Sequence, residues 1–184
     1  MVDQNLKIVV WSVLLICSLV GEGYSQESDF SFRQGETLEE FGKRIIPKGM
    51  KLAHTVVRGN FGSTENNIVI LFHENEGDDY IGWVLIPSGM TYKKFVLPAT
   101  GFPIGNKVEA IFFANADSDT DRELLVLCTV NSGAGGAPFG EVFVYDWDGK
   151  QFKYLEDISD KLTIEQGEKR TVQEVRKRLK SLGY

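Results

Sequence analysis

The stretch best suited to chemistry is residues 115–123, which read Asn-Ala-Asp-Ser-Asp-Thr-Asp-Arg-Glu. Side chains that carry oxygen stand at its first, third and fifth positions, and a carboxylate stands at its ninth. Calcium binds about six to eight oxygen atoms, and loops with alternating oxygen ligands and a backbone carbonyl at the seventh position supply them. So many like charges in one short segment repel each other unless a cation is present. The pattern predicts a calcium site with the ligands Asn115, Asp117, Asp119, Asp121 and Glu123.

The five predicted ligands have different roles. Asp117, Asp119 and Glu123 would donate carboxylate oxygens, Asn115 a neutral side-chain oxygen, and Asp121 a backbone carbonyl. The loop is not an EF-hand, because it lacks a glutamate at the twelfth position and runs into a strand pattern instead of a helix. The alternative is a solvated acidic turn between Phe113 and Leu124 that binds no metal. In such a turn the carboxylates accept hydrogen bonds from nearby backbone amides.

Residues 115–126 also resemble the calcium loop of FG-GAP/VCBS-type repeats, the blades of integrin-like β-propellers. In that family an acidic loop runs directly into an apolar strand. The resemblance implies a calcium ion held between two strands of one blade, in extracellular proteins that often bind other proteins or glycans. A degenerate counterpart lies near residues 59–71, where Glu65 is the only carboxylate left in the loop. We predict that this second loop binds no metal.

The two loops belong to a faint internal repeat, about residues 54–97 and 108–155. In each unit the loop is followed by an apolar strand and then by a hairpin signal, at Gly89 in the first unit and Gly149 in the second. Similarity by chance between two β-meanders remains an alternative, because short strand-and-turn patterns recur widely. Two units cannot close a propeller, which needs about four or more blades.

The fold class predicted is therefore α+β and mainly antiparallel β. Two related β-meander units form a sheet or a sandwich, flanked by an N-terminal and a C-terminal helix, and not a complete propeller. Thr37 and Glu40 match a capping box at the first helix, and Thr171 and Glu174 match one at the last. Short apolar runs between the helices predict strands at 68–72, 80–86, 92–97, 108–113, 124–130, 142–145 and 152–155.

The N-terminus predicts export. Residues 1–25 combine Lys7, an apolar run over 8–20 and small residues near the end, as in a secretory signal peptide cleaved before Gln26. The run is shorter than the ~20 residues that span a bilayer. We therefore expect residues 26–184 to form a single exported globular domain, periplasmic or secreted, with no membrane contact after cleavage.

Composition limits the partners and the chemistry. The formal net charge of −6 repels nucleic acid and anionic lipid at long range. A catalytic set is not apparent, because the mature chain has only His54, His73 and the single thiol of Cys128. The leading hypothesis is a non-catalytic exported domain that binds a protein or glycan partner and carries one calcium ion. The alternatives are a structural or accessory domain with no metal, and an exported hydrolase if folding brings His73, Cys128 and an acid together in one cleft.

The C-terminal helix pattern carries four basic residues, Arg176, Lys177, Arg178 and Lys180. Positive charge near a helix C-terminus complements the helix dipole, which explains the cluster without a ligand. A basic binding patch is the other interpretation.

Overall fold

The computed structural model describes residues 30–75, 79–99, 107–130, 137–164 and 171–184. The predicted signal peptide, residues 1–25, lies outside the described residues. Within those five ranges, no helix has both the length and the apolar character needed to cross a membrane.

The described residues contain nine strands and three helices, joined by turns and loops. The strands are β1 (Lys51–Leu52), β2 (Val57–Phe61), β3 (Thr64–His73), β4 (Ile81–Ser88), β5 (Thr91–Val96), β6 (Lys107–Ala114), β7 (Glu123–Val130), β8 (Phe139–Trp147) and β9 (Phe152–Tyr154). The helices are α1 (Leu38–Ile45), α2 (Glu156–Leu162) and α3 (Val172–Leu182).

The strands form two antiparallel sheets. In the first, β2, β3, β4 and β5 follow one another as a meander, and β1 pairs with the second half of β3 on the same edge as β2. In the second, β6, β7, β8 and β9 form another meander. The predicted fold class, mainly antiparallel β with two meanders and flanking helices, is confirmed.

The two sheets pack face to face, and each outer face is covered by helix. Val69 and Leu71 of β3 share an inner core with Val126 and Phe143 of the second sheet. Helix α1 covers the outer face of the first sheet through Phe41, while α2 and α3 cover that of the second. Because β3 and β7 are covered on both faces, their sequences are apolar at successive positions, not only at alternate ones.

Both predicted helices begin and end where their caps indicate. The Thr37–Glu40 capping box is formed in both directions at the start of α1, and Thr171 caps α3 through the Glu174 amide. Helix α2 and strands β1 and β2 were not predicted. The N-cap of α2 is Leu155, which offers no side-chain hydrogen bond, so this short helix has no start signal in the sequence.

One end of the sandwich holds the acidic loop against the first sheet. The Gly62 amide, in the β2–β3 turn, donates a 2.8 Å hydrogen bond to the Arg122 carbonyl at the end of that loop. Beside it the Phe61 and Phe113 rings stack at 5.0 Å. Gly62 has φ +54°, and a β-carbon there would lie 2.9 Å from the Trp147 ring. Glycine is therefore required where the two sheets meet at this end.

Candidate metal centre

The acidic loop connects two paired strands, β6 and β7. Ala114 at the end of β6 pairs with Glu123 at the start of β7, so both ends of the segment 115–122 are fixed by the sheet ladder. The Ala116 side chain is buried beneath the loop in the core under α2 and α3. These anchors set the position of the loop on a rigid scaffold, which a preorganised ion site requires.

Hydrogen bonds inside the loop turn the backbone and converge the carboxylates. Asp117 Oδ1 accepts from the Asp119 amide at 2.9 Å, and Asp119 Oδ1 accepts from the Asp121 amide at 3.0 Å. The Asn115 side-chain nitrogen donates to the Asp119 carbonyl at 3.2 Å. As a result one oxygen each from Asp117, Asp119 and Glu123 lie within 4.8 Å of one another. Three carboxylates at this spacing suit a hard divalent cation.

Glu123 is the unusual member of this cluster. Its side chain is 1 % exposed. Its Oε2 accepts a hydrogen bond from the Ala116 amide, but its Oε1 is buried and has no hydrogen-bond partner in the described parts of the chain. Leaving a buried acceptor unpaired costs about 1–3 kcal/mol, and more for a charged group. Burial, reinforced by the charges of Asp117 and Asp119, raises the pKa of Glu123 to about 7.

The negative charge of the centre extends to its neighbours. The hydrogen bond between the Asp119 and Asp121 carboxyl groups raises the pKa of Asp121 to about 6 and lowers the pKa of Asp119. Burial and the charges of Asp117 and Asp119 raise the pKa of Asp146. The raised pKa values of Asp121 and Asp146 show that these groups lie close enough to the loop carboxylates for like charge to oppose their ionisation.

Sequence reasoning had not placed Asp146 near the loop. This residue lies on β8, one position beyond the Leu124–Tyr145 pair, so the strand register sets it beside the start of β7. Only the pairing of β7 with β8 could have indicated this proximity. Its near neighbour Asp148 has a different role, because its carboxylate accepts from the amides of Lys150 and Gln151 in the β8–β9 turn.

The structure thus brings together three of the five predicted ligands, Asp117, Asp119 and Glu123. Asn115 lies in the same loop, and its side-chain nitrogen donates to the Asp119 carbonyl. The Asp121 side chain is not part of the three-residue cluster, and its role as a backbone carbonyl donor stays a prediction.

The counterpart loop near residues 59–71 has a buried side-chain amide where the acidic loop has a buried carboxylate. Asn67 precedes the apolar part of β3 as Glu123 precedes that of β7, and both side chains are buried. The Asn67 side-chain nitrogen donates to Thr64 Oγ1 at 2.8 Å and to the Thr64 carbonyl at 3.2 Å. A glutamate cannot donate in this way, so the acidic loop lacks this contact, although Asn67 Oδ1 and Glu123 Oε1 are alike in being buried with no hydrogen-bond partner in the described residues.

The Cys128 thiol is in surroundings unsuited to nucleophilic catalysis. The Cys128 side chain is 0 % exposed, and burial together with the carboxylates of Glu141 and Glu109 raises the pKa of its thiol. The reactive form of cysteine is the thiolate, which this environment disfavours. The ring nitrogen of His73 is hydrogen-bonded to the Asn75 carbonyl.

No protein-family model, curated protein or solved structure matches this chain. The resemblance of residues 115–126 to FG-GAP/VCBS-type loops therefore remains a prediction from those residues alone.

Proposed function

We propose that this protein is a non-catalytic, exported binding domain stabilised by one calcium ion. The ion is held by the carboxylates of Asp117, Asp119 and Glu123. The observation that carries the proposal is the buried Glu123 Oε1, which has no hydrogen-bond partner in the described residues and belongs to a carboxylate clustered with two others. A cation at this cluster supplies the missing partner.

Calcium fits the site better than magnesium. The proposed ligands are a mixture of carboxylate, amide and backbone oxygens, and calcium accepts such irregular sets. Magnesium demands near-ideal octahedral geometry and is reluctant to lose water. Extracellular calcium modules have dissociation constants of about 10⁻⁴–10⁻³ M, which is the affinity expected of this site. Asn115 and the Asp121 carbonyl complete the proposed ligand set.

The partner is proposed to be a protein or a glycan that binds the end of the sandwich carrying the loop. Three chain connections meet at this end: the β2–β3 turn, the acidic loop and the β8–β9 turn. The Gly62 amide is hydrogen-bonded to the Arg122 carbonyl, and Gly62 lies beside the Trp147 ring at the end of β8. Loops held on a rigid scaffold are the usual location of binding residues. Calcium would fix the acidic loop in one shape and so reduce the entropy that a partner must remove on binding.

Isothermal titration of the metal-free protein with calcium tests the proposal. We expect one site with a dissociation constant of about 10⁻⁴–10⁻³ M. Glu123→Gln is expected to weaken binding by about tenfold or more, because it removes a charged ligand. The matched control is Asp157→Asn, which removes the same charge from an exposed position on α2 and should leave affinity unchanged. Absence of binding at ~10 mM calcium, or equal affinity in both variants, would contradict the proposal.

A structural domain with no metal is the second candidate. It is favoured by the loop's own hydrogen bonds, in which Asp117 and Asp119 already cap backbone amides as they do in metal-free turns. In that case calcium produces no binding heat, and both variants behave as the unmodified protein.

A further inference from the structure

A second candidate site lies beside the acidic loop. A groove of about 520 Å³ runs between the end of β6 and helix α3. Phe113, Ala114 and Leu179 form its apolar lining, and Asn115 belongs both to the groove and to the acidic loop. Small-molecule sites have volumes of about 300–1,000 Å³, so the groove is large enough for a ligand of saccharide size.

Three cationic side chains line the groove, Arg122, Arg176 and Lys180. They come from the acidic loop and from successive turns of α3, so the fold assembles a charge cluster that no sequence segment contains. In the described ranges, none of the three forms an ion pair with a carboxylate. Their positive charge is therefore available to a ligand.

Arg176 is held in place before any ligand arrives. Its guanidinium lies over the Phe112 ring at 5.7 Å and donates a 3.3 Å hydrogen bond to the Phe113 carbonyl. These contacts orient one part of the planar group and leave its other N–H groups for an acceptor. A guanidinium binds carboxylate and phosphate oxygens in a paired geometry that few other groups match.

We infer that this groove binds a small anionic ligand, a sugar-sized molecule that bears a carboxylate or a phosphate. The anionic group contacts Arg176 and Lys180, and the apolar face of the ligand packs on Phe113 and Leu179. Large polyanions are disfavoured, because the net charge of the whole chain is −6 and repels them at long range. This site goes beyond the proposed calcium function and does not require the metal.

A calcium ion bound at the acidic loop would affect the affinity of the groove for an anion through its charge. Asp117 and Asp119 lie in the same loop as Asn115 and Arg122, and their negative charges oppose an approaching anion. A bound cation reduces that opposition, so calcium should tighten anion binding severalfold, and by linkage the anion should tighten calcium binding equally.

The test is a titration followed by amide chemical shifts in NMR, with glucuronate, phosphorylated glucose and neutral glucose as probes. At least one anionic probe should bind and shift the groove amides, while glucose should not. Lys180→Gln should weaken binding about tenfold, the effect of losing one charge-assisted hydrogen bond, and Arg176→Gln at least as much. The two anions separate a carboxylate site from a phosphate site.

Lys177→Gln is the matched control, since it removes the same charge from an exposed position on α3 that pairs with Glu174 and does not line the groove. It should change affinity by less than about twofold. The proposal is overturned if neither anion binds at ~20 mM, if glucose binds as well, or if Lys177→Gln weakens binding as much as Lys180→Gln. Titrating the anionic probes once in EDTA and once in calcium separates the two proposals. If the anions bind equally well in both, the result contradicts the metal site and not the anion site.

Discussion

Replacing Phe61 with alanine is expected to lower the free energy of unfolding by about 3–5 kcal/mol. The Phe61 side chain is 2 % exposed and lies between the two sheets. It stacks on Phe113 and also contacts the Phe152 ring at 5.8 Å. Its removal leaves a cavity that these rings cannot close without breaking their own packing. Chemical denaturation monitored by tryptophan fluorescence measures the loss.

Met90→Ala is the matched control for this substitution, because Met90 is 96 % exposed in the β4–β5 turn. It should change stability by less than about 0.5 kcal/mol. Since Phe113 lies two residues before Asn115, the first residue of the acidic loop, Phe61→Ala should also weaken calcium binding in the surviving folded protein. An effect on stability no larger than that of Met90→Ala would show that the sheets do not pack through Phe61.

The unmodified protein is expected to lose about 3 kcal/mol of stability between about pH 4.5 and pH 8 because Glu141 ionises. Replacing Glu141 with glutamine should abolish this loss. Glu141 lies on β8 opposite Cys128, is 5 % exposed, and has an Oε2 with no hydrogen-bond partner in the described residues. Burial, together with the charge of Asp160, raises its pKa from 4.5 to about 7. A carboxyl group whose folded pKa is raised binds more protons in the folded state. Its contribution to stability is therefore complete below pH 4.5 and is lost as the pH rises to about 7.

The measurement is denaturation of both proteins in EDTA between about pH 4.5 and pH 8. The stability of Glu141→Gln minus that of the unmodified protein should rise by about 3 kcal/mol across this range. Any constant packing cost of the amide cancels in that comparison, and so does the titration of Glu123, which is common to both proteins. A difference that stays flat with pH would mean that Glu141 is solvated in solution.

The Thr37–Glu40 capping box, the Thr171 cap of α3, the strand runs and the acidic loop were predictable because their physical causes are local. Thr37 and Glu40 satisfy backbone amides within one turn of helix, so four residues suffice to identify the start of α1. The loop carboxylates of Asp117 and Asp119 likewise act through hydrogen bonds two residues apart. Such patterns are legible in a single sequence without knowledge of the tertiary fold.

Other parts of the site depend on contacts between distant segments. Asp146 reaches the acidic loop only because β8 pairs with β7 in one register. The cationic groove requires α3 to pack against the end of β6, which places Arg176 near Arg122. The basic cluster of α3 was visible in the sequence, but its division into groove residues and a solvent-facing Lys177 was not.

Thermal melting in excess EDTA and in saturating calcium tests the calcium site most directly. A ligand that binds only the folded state adds about 2.7 kcal/mol at 100 times its dissociation constant, which raises the midpoint by roughly 5–10 °C for a domain of this size. The rise should be absent in an Asp117→Asn, Asp119→Asn variant and retained in a Glu156→Gln, Asp157→Asn variant of equal charge. Coincident curves for the unmodified protein in EDTA and in calcium would contradict the calcium site.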